Sequence, residues 1–150
     1  MKIFRSILSL VLICVTTLLV SCSGPTASAP PTYTSAKLQQ IQTYRIPIDV
    51  AREKMNDLGR LISQKEWVDT GSIIHGPLGL LRRDMRYLAD SLLPGEKERA
   101  NDVAKEIFQH LEAIDAAAKD KNYAVAINQY KEAVSDFDAF VELLPDTQAS

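Results

Sequence analysis

Residues 123–144 read YAVAINQYKEAVSDFDAFVELL, and the spacing of their apolar members decides the fold. Tyr123, Ile127, Tyr130, Val134, Phe137, Val141 and Leu144 recur at alternating steps of four and three. That repeat lines one face of an α-helix, and it assigns Tyr123, Tyr130 and Phe137 to a helical core. Pro145 stops the pattern, because proline has no N–H to continue the ladder, and Asp146 to Ser150 reads as a frayed tail.

The same period recurs toward the N-terminus. Ala100, Val103, Ile107, Leu111, Ile114 and Ala118 form a third stripe, closed by the polar run Lys119-Asp120-Lys121-Asn122. Pro94 and Gly95 make the turn before it, and Glu96 and Glu98 suit the positive end of its helix. A second stripe is Ile74, Leu78, Leu81, Met85, Leu88 and Leu92; Thr70 or Ser72 is its candidate cap, and Gly76, Pro77 and Gly79 mark a first turn or a kink. The first is Leu38, Ile41, Tyr44, Ile48, Ala51, Met55, Leu58 and Ile62. Pro47 falls inside it and predicts a short leading turn, with the main helix running from about Pro47 to Lys65. Four amphipathic helices with short connections predict an all-α fold, an antiparallel up-down four-helix bundle over residues 38–145. No run of Val, Ile or Thr alternates with period two, so no strand competes.

The start of the chain carries a different signal. Lys2 and Arg5 form a positive n-region, and Ile7 to Val20 is apolar but for Ser9, Thr16 and Thr17. This is shorter than the ~20 residues a bilayer span needs and suits a signal peptide over residues 1–21. Leu19-Val20-Ser21-Cys22 resembles the lipobox of bacterial lipoproteins. Small residues before the cysteine let the backbone enter a peptidase site, and the Cys22 thiol is then the point of lipidation. An ordinary signal peptide beside a chance cysteine is the bland alternative; hydrophobic length, small flank and cysteine together favour the lipoprotein. Residues 22–37 then read as the lipidated cysteine and a tether, since Gly24, Pro25, Pro30 and Pro31 stand among small polar residues. Cys14 leaves with the leader and Cys22 is acylated, so the mature domain has no thiol and no disulfide.

Composition excludes some classes. The precursor carries 17 basic and 19 acidic residues, net −2, and loss of Lys2 and Arg5 takes the mature chain to about −4. A duplex-binding domain is normally basic, so no nucleic-acid partner is expected. Ser72 and His75 have no orienting acid or oxyanion site, and Gly76-Pro77-Leu78-Gly79 lacks the spacing and lysine of a phosphate loop. No enzyme and no small-molecule substrate is expected. His75, Glu106 and His110 are the available metal ligands, but Glu106 and His110 make only one weak i,i+4 pair, and His75 reads as a hydrogen-bonding residue at a helix start. No tightly bound cofactor is expected.

Arg82, Arg83 and Arg86 form the densest basic cluster. It reads either as a docking patch for an acidic partner or as a solvated helix face, and the frequency of such faces weighs toward the second. Trp67 reads as a bundle-end plug before it reads as a partner anchor. Asn122-Tyr123-Ala124 through Ala133 is also similar to a tetratricopeptide repeat, yet 34 residues upstream of Tyr123, Tyr130 and Phe137 stand Ala89, Glu96 and Val103, with Pro94 between. The repeat is absent.

Trp67-Val68-Asp69-Thr70, His75-Gly76-Pro77-Leu78-Gly79, the Leu92-Leu93-Pro94 turn and Asp136-Phe137-Asp138 resemble the PsbQ family, in its cyanobacterial lipoprotein form. The resemblance spans roughly Leu38 to Pro145. It implies a non-catalytic extrinsic subunit on the lumenal face of photosystem II. Such a subunit contacts the core antenna and other extrinsic subunits and stabilises the oxygen-evolving manganese–calcium cluster, aiding calcium and chloride retention. It also implies a place on the thylakoid membrane, lumenal side, held by the lipid anchor. Plant members arrive through a transit peptide, so their N-terminal contacts do not carry over to Ser23–Ser35. The alternative is a generic periplasmic helical-bundle lipoprotein that binds a ligand or metal ion, which absorbance and elemental analysis of the purified domain would reveal.

Overall fold

A computed structural model of the chain describes residues 31–146. The expected signal peptide, Cys22, most of the expected tether and residues 147–150 of the expected tail lie outside the described residues. The described residues form five helices and no strand: α1 Ser35–Gln64, α2 Trp67–His75, α3 Leu81–Ala89, α4 Pro94–Lys119 and α5 Tyr123–Glu142.

Three expectations change. Helix α1 begins at Ser35, inside the span assigned to the tether, and runs through Pro47 without a break. Pro47 and Thr43, whose carbonyl loses its donor, are both exposed, while Ile41 and Ile48 on either side are fully buried in the same core. One missing hydrogen bond on the wet face is outweighed by that burial, about 1.5–3 kcal/mol for each large side chain. Second, the stripe expected as one helix is two, α2 and α3. Neither Thr70 nor Ser72 caps it; both lie inside α2 and return their hydroxyls to Glu66 and Val68 carbonyls at 2.9 Å. Between the two helices, a Cβ on Gly76 would stand 2.7 Å from the Ser72 carbonyl oxygen, and one on Gly79 2.5 Å from that of His75. Only glycine fits those two positions, and buried Leu78 plugs the gap from the turn itself.

Third, α5 is rotated from its expected face. Its fully buried members are Ala126, Ala133, Phe137 and Phe140, whereas Tyr123 is 39 % exposed and Tyr130 only partly covered. Helix α5 makes its most extensive contact with α4, and small residues at that seam let the axes approach. Large Ile127, Val134 and Val141 then flank the core rather than fill it. The other stripes hold: Met55, Leu58 and Ile62 of α1, Leu81, Met85 and Leu88 of α3, and Ile107, Leu111 and Ile114 of α4 meet in one cluster.

Contacts give the helix directions. Residues 52, 59 and 65 of the α1 stretch meet Asp138, Tyr130 and Tyr123, so α1 and α5 run antiparallel. Arg82 meets Glu112 and Asp90 meets Lys97, which does the same for α3 and α4. The entry to α1 is fastened to the start of α4. Tyr33 donates its hydroxyl to Glu96 and accepts from the Leu93 N–H at 3.1 Å. Leu93 has no side-chain cap of its own, so Tyr33 supplies a partner beside an otherwise bare helix start. Burial and the Glu96 hydrogen bond push the Tyr33 phenol up to about 12.

Two outcomes follow from this packing. A Cβ on Gly59 would come within 2.4 Å of the Tyr130 ring, so Gly59→Ala should displace that ring and lower stability by about 1 kcal/mol in thermal melts. In a Tyr130→Ala background the same change should instead stabilise, because only the helix preference for alanine remains. Tyr33→Phe should cost about 1 kcal/mol near neutrality. Because the folded phenol is raised, its contribution is whole below pH 10 and is lost as pH climbs toward 12; alkaline melts of the phenylalanine variant should lack that decline.

Candidate functional site

The predicted site residues fall into three places. His75 closes α2, at its end rather than a helix start, and its Nε2 lies 3.0 Å from Asp115 Oδ1 of α4. Lys119, one turn on, holds Asp115 Oδ2 at 2.7 Å. Asp115 is 9 % exposed. Burial alone would raise its carboxyl, but the hydrogen bonds from Lys119 and His75 outweigh that and leave it below the usual carboxylate range. Beside this cluster Trp67, Val68, Gly71 and Ala118 floor an open groove of about 330 Å³. Trp67 packs its partly buried ring on the core, while Val68 is 83 % exposed. Helix α2 carries four large apolar residues, yet Thr70 is its only fully buried one. The sequence showed Trp67 but not the groove, which exists because Gly71 adds no side chain between α2 and α4.

His110 is elsewhere. Its Nδ1 lies 2.7 Å from Gln129 Oε1 and its Nε2 3.3 Å from Asp136 Oδ2, both on α5. Glu106 stays on the exposed side of α4. The three suggested metal ligands therefore do not converge, and among the described residues no three metal-ligating side chains do. The Asp136-Phe137-Asp138 motif explains His110's setting. Residues two apart on a helix point about 200° apart, so Asp136 reaches α4 while Asp138 takes Arg52 of α1 in a two-pronged contact of 2.7 and 3.1 Å. Phe137 between them is fully buried. The motif joins one helix to two neighbours.

The arginines lie on α3, opposite Leu81, Met85 and Leu88. Arg82 pairs with Glu112 at 2.9 Å and stands 4.2 Å over the Phe108 ring; Arg83 pairs with Asp84 at 2.8 Å. Arg86 stands 5.6 Å over Tyr87. None reaches the Trp67 groove's lining, so the expected partner-binding residues occupy two separate surfaces. No helix of the described residues is long and apolar enough to cross a membrane.

The profile of the PsbQ family, described as oxygen evolving enhancer protein 3, matches residues 4–145. The chain belongs to the PsbQ family. A curated relative, CyanoQ of Synechocystis sp., is 55 % identical over 146 residues, 97 % of this chain and 98 % of that protein. The matched range holds all four segments on which the PsbQ resemblance rested. In this PsbQ-family chain those segments build the α2 groove, the glycine turn, the α3–α4 connection and the α5 staple.

The Asp115 cluster carries a pH prediction. Because its folded carboxyl is depressed, the stability it contributes is present above the ordinary carboxylate range, near pH 4, and lost as pH falls further. Asp115→Asn should lower the melting midpoint at pH 7, by about 1–2 kcal/mol in stability, and should flatten the acid limb of the stability profile.

Proposed function

We propose that this PsbQ-family subunit of photosystem II stabilises the lumenal face of the complex without a reactive centre of its own. Acylated Cys22 holds it on the lumenal side of the thylakoid membrane. Two or more acyl chains retain a protein far better than one, at about 0.8 kcal/mol for each buried methylene. The helices act as a four-helix bundle whose second stave is broken into α2 and α3. Docking on the core antenna and neighbouring extrinsic subunits uses Arg82, Arg83 and Arg86 on one face and Trp67 on the other. A subunit that binds only the assembled complex stabilises it by mass action, and its cover over the manganese–calcium cluster slows calcium and chloride loss. Neither ion is held by this chain itself, and no tightly bound cofactor is needed.

The observation that carries this reading is the match to CyanoQ over nearly the whole of both chains. A C-terminally tagged protein purified from detergent-solubilised thylakoids should bring oxygen-evolving photosystem II with it, and the mass of its first residue should be that of acylated cysteine. Cys22→Ala should shift the protein from the membrane to the soluble fraction. A tagged protein that leaves the photosystem fraction under gentle salt, or that carries a stoichiometric metal or chromophore, would replace this reading with that of a ligand-binding bundle.

A further inference from the structure

A chain of net charge −2 gathers four cations on one small area. Arg82 and Arg86 form the wall between two concavities. One, of about 180 Å³, is completed by Lys105 and Asn101 over an apolar floor of Ala104 and Phe108. The other, of about 390 Å³, adds only Gly79 and Arg83. No acidic side chain lines either. Burial of Phe108, 8 % exposed, makes that floor rigid, and the ring fixes the Arg82 guanidinium above it.

Arg83 is held by partly buried Asp84 at 2.8 Å, whereas the other three cations are held weakly, Arg86 by the field of Asp90 and the face of Tyr87. The Arg82–Glu112 pair is 62 % and 72 % exposed, and such pairs exchange readily for a better carboxylate. Arg86 and Lys105 make no ion pair among the described residues. Guanidinium groups grip planar carboxylates through two parallel N–H···O contacts.

We propose that these two lobes take a short acidic segment of a photosystem II protein, one carboxylate in each, its backbone crossing the Arg82–Arg86 wall and an apolar side chain beside the first carboxylate resting on Ala104 and Phe108. The inference rests on the docking role above and adds the face and the chemistry of the partner. Two cationic lobes divided by an arginine wall suit two anionic groups joined by a short spacer. A lipid headgroup, with its charge on one group, fills one lobe and leaves the apolar floor bare.

The test uses the mature acylated protein and detergent-solubilised photosystem II from a strain that lacks it. Arg86→Glu and Lys105→Glu, on different helices and both exposed, should keep the wild-type melt and weaken binding by about tenfold or more. Arg86→Lys, which keeps the charge but loses the fork, should weaken binding less than Arg86→Glu, and Lys131→Glu, exposed on α5 and outside both lobes, should bind as wild type. A Glu-Leu-Asp peptide should compete, and its Gln-Leu-Asn twin should not. Reversal variants that bind like wild type would overturn the proposal while leaving the photosystem role intact. Wild type that fails to bind would remove that role, and the two peptides on the free protein would then decide this site alone. If the reversals abolish binding only to vesicles containing anionic lipid, the face belongs to a membrane and the proposal falls.

Discussion

Everything in this bundle depends on how α5 is held. Phe137 is fully buried, and the carboxylates on either side of it leave the helix in nearly opposite directions, one to His110 of α4 and one to Arg52 of α1. A lone apolar seam would let a helix rotate or slide by a turn at small cost. Two carboxylate contacts at one level on opposite sides oppose both motions, while Phe137 supplies the burial. Because Ala126 and Ala133 share the buried line with Phe137, α5 sits close, and α1 answers with Gly59 against the Tyr130 ring.

The break between α2 and α3 shapes the surface of the domain. A continuous helix from Trp67 to Ala89 would place its apolar residues on one stripe and its cations on the opposite one. Gly76-Pro77-Leu78-Gly79 interrupts it, Leu78 is buried, and the helix starts again at Leu81. Helix α2 is left with Val68 outside and Trp67 half-covered, beside a groove that the polar trio His75, Asp115 and Lys119 closes at one end. Helix α3 starts afresh and brings Arg82 and Arg86 to the edge of α4, with Arg83 beside them. One glycine–proline turn thus produces two distinct faces, one apolar and one cationic.

How far the residues spoke for themselves varied with the range of the physics involved. Period and punctuation are local, so the helices, the Pro94 start and the buried faces of α1, α3 and α4 were legible. Pro47 misled, because its cost depends on whether the carbonyl it orphans is wet, and that is a tertiary fact. The α5 stripe misled in its turn: the largest apolar residues marked the helix, but close approach selected the alanines. His110 beside Glu106 looked like half a metal site only while Gln129 and Asp136 were out of view, and Lys105 and Phe108 gave no sign of belonging with the arginines, being some twenty residues away.

By itself the chain determined its helical class, its punctuation and its family, because these rest on residue spacing and on short motifs that any sequence displays. The expectation of an exported, acylated start likewise rests on a run of consecutive residues, Lys2 to Cys22. Tertiary structure alone decided that two helices fill the second position, which face of α5 is dry, and which cations share a cleft. Those outcomes depend on what each side chain meets across a helix interface, and the distance along the chain carries no information about that.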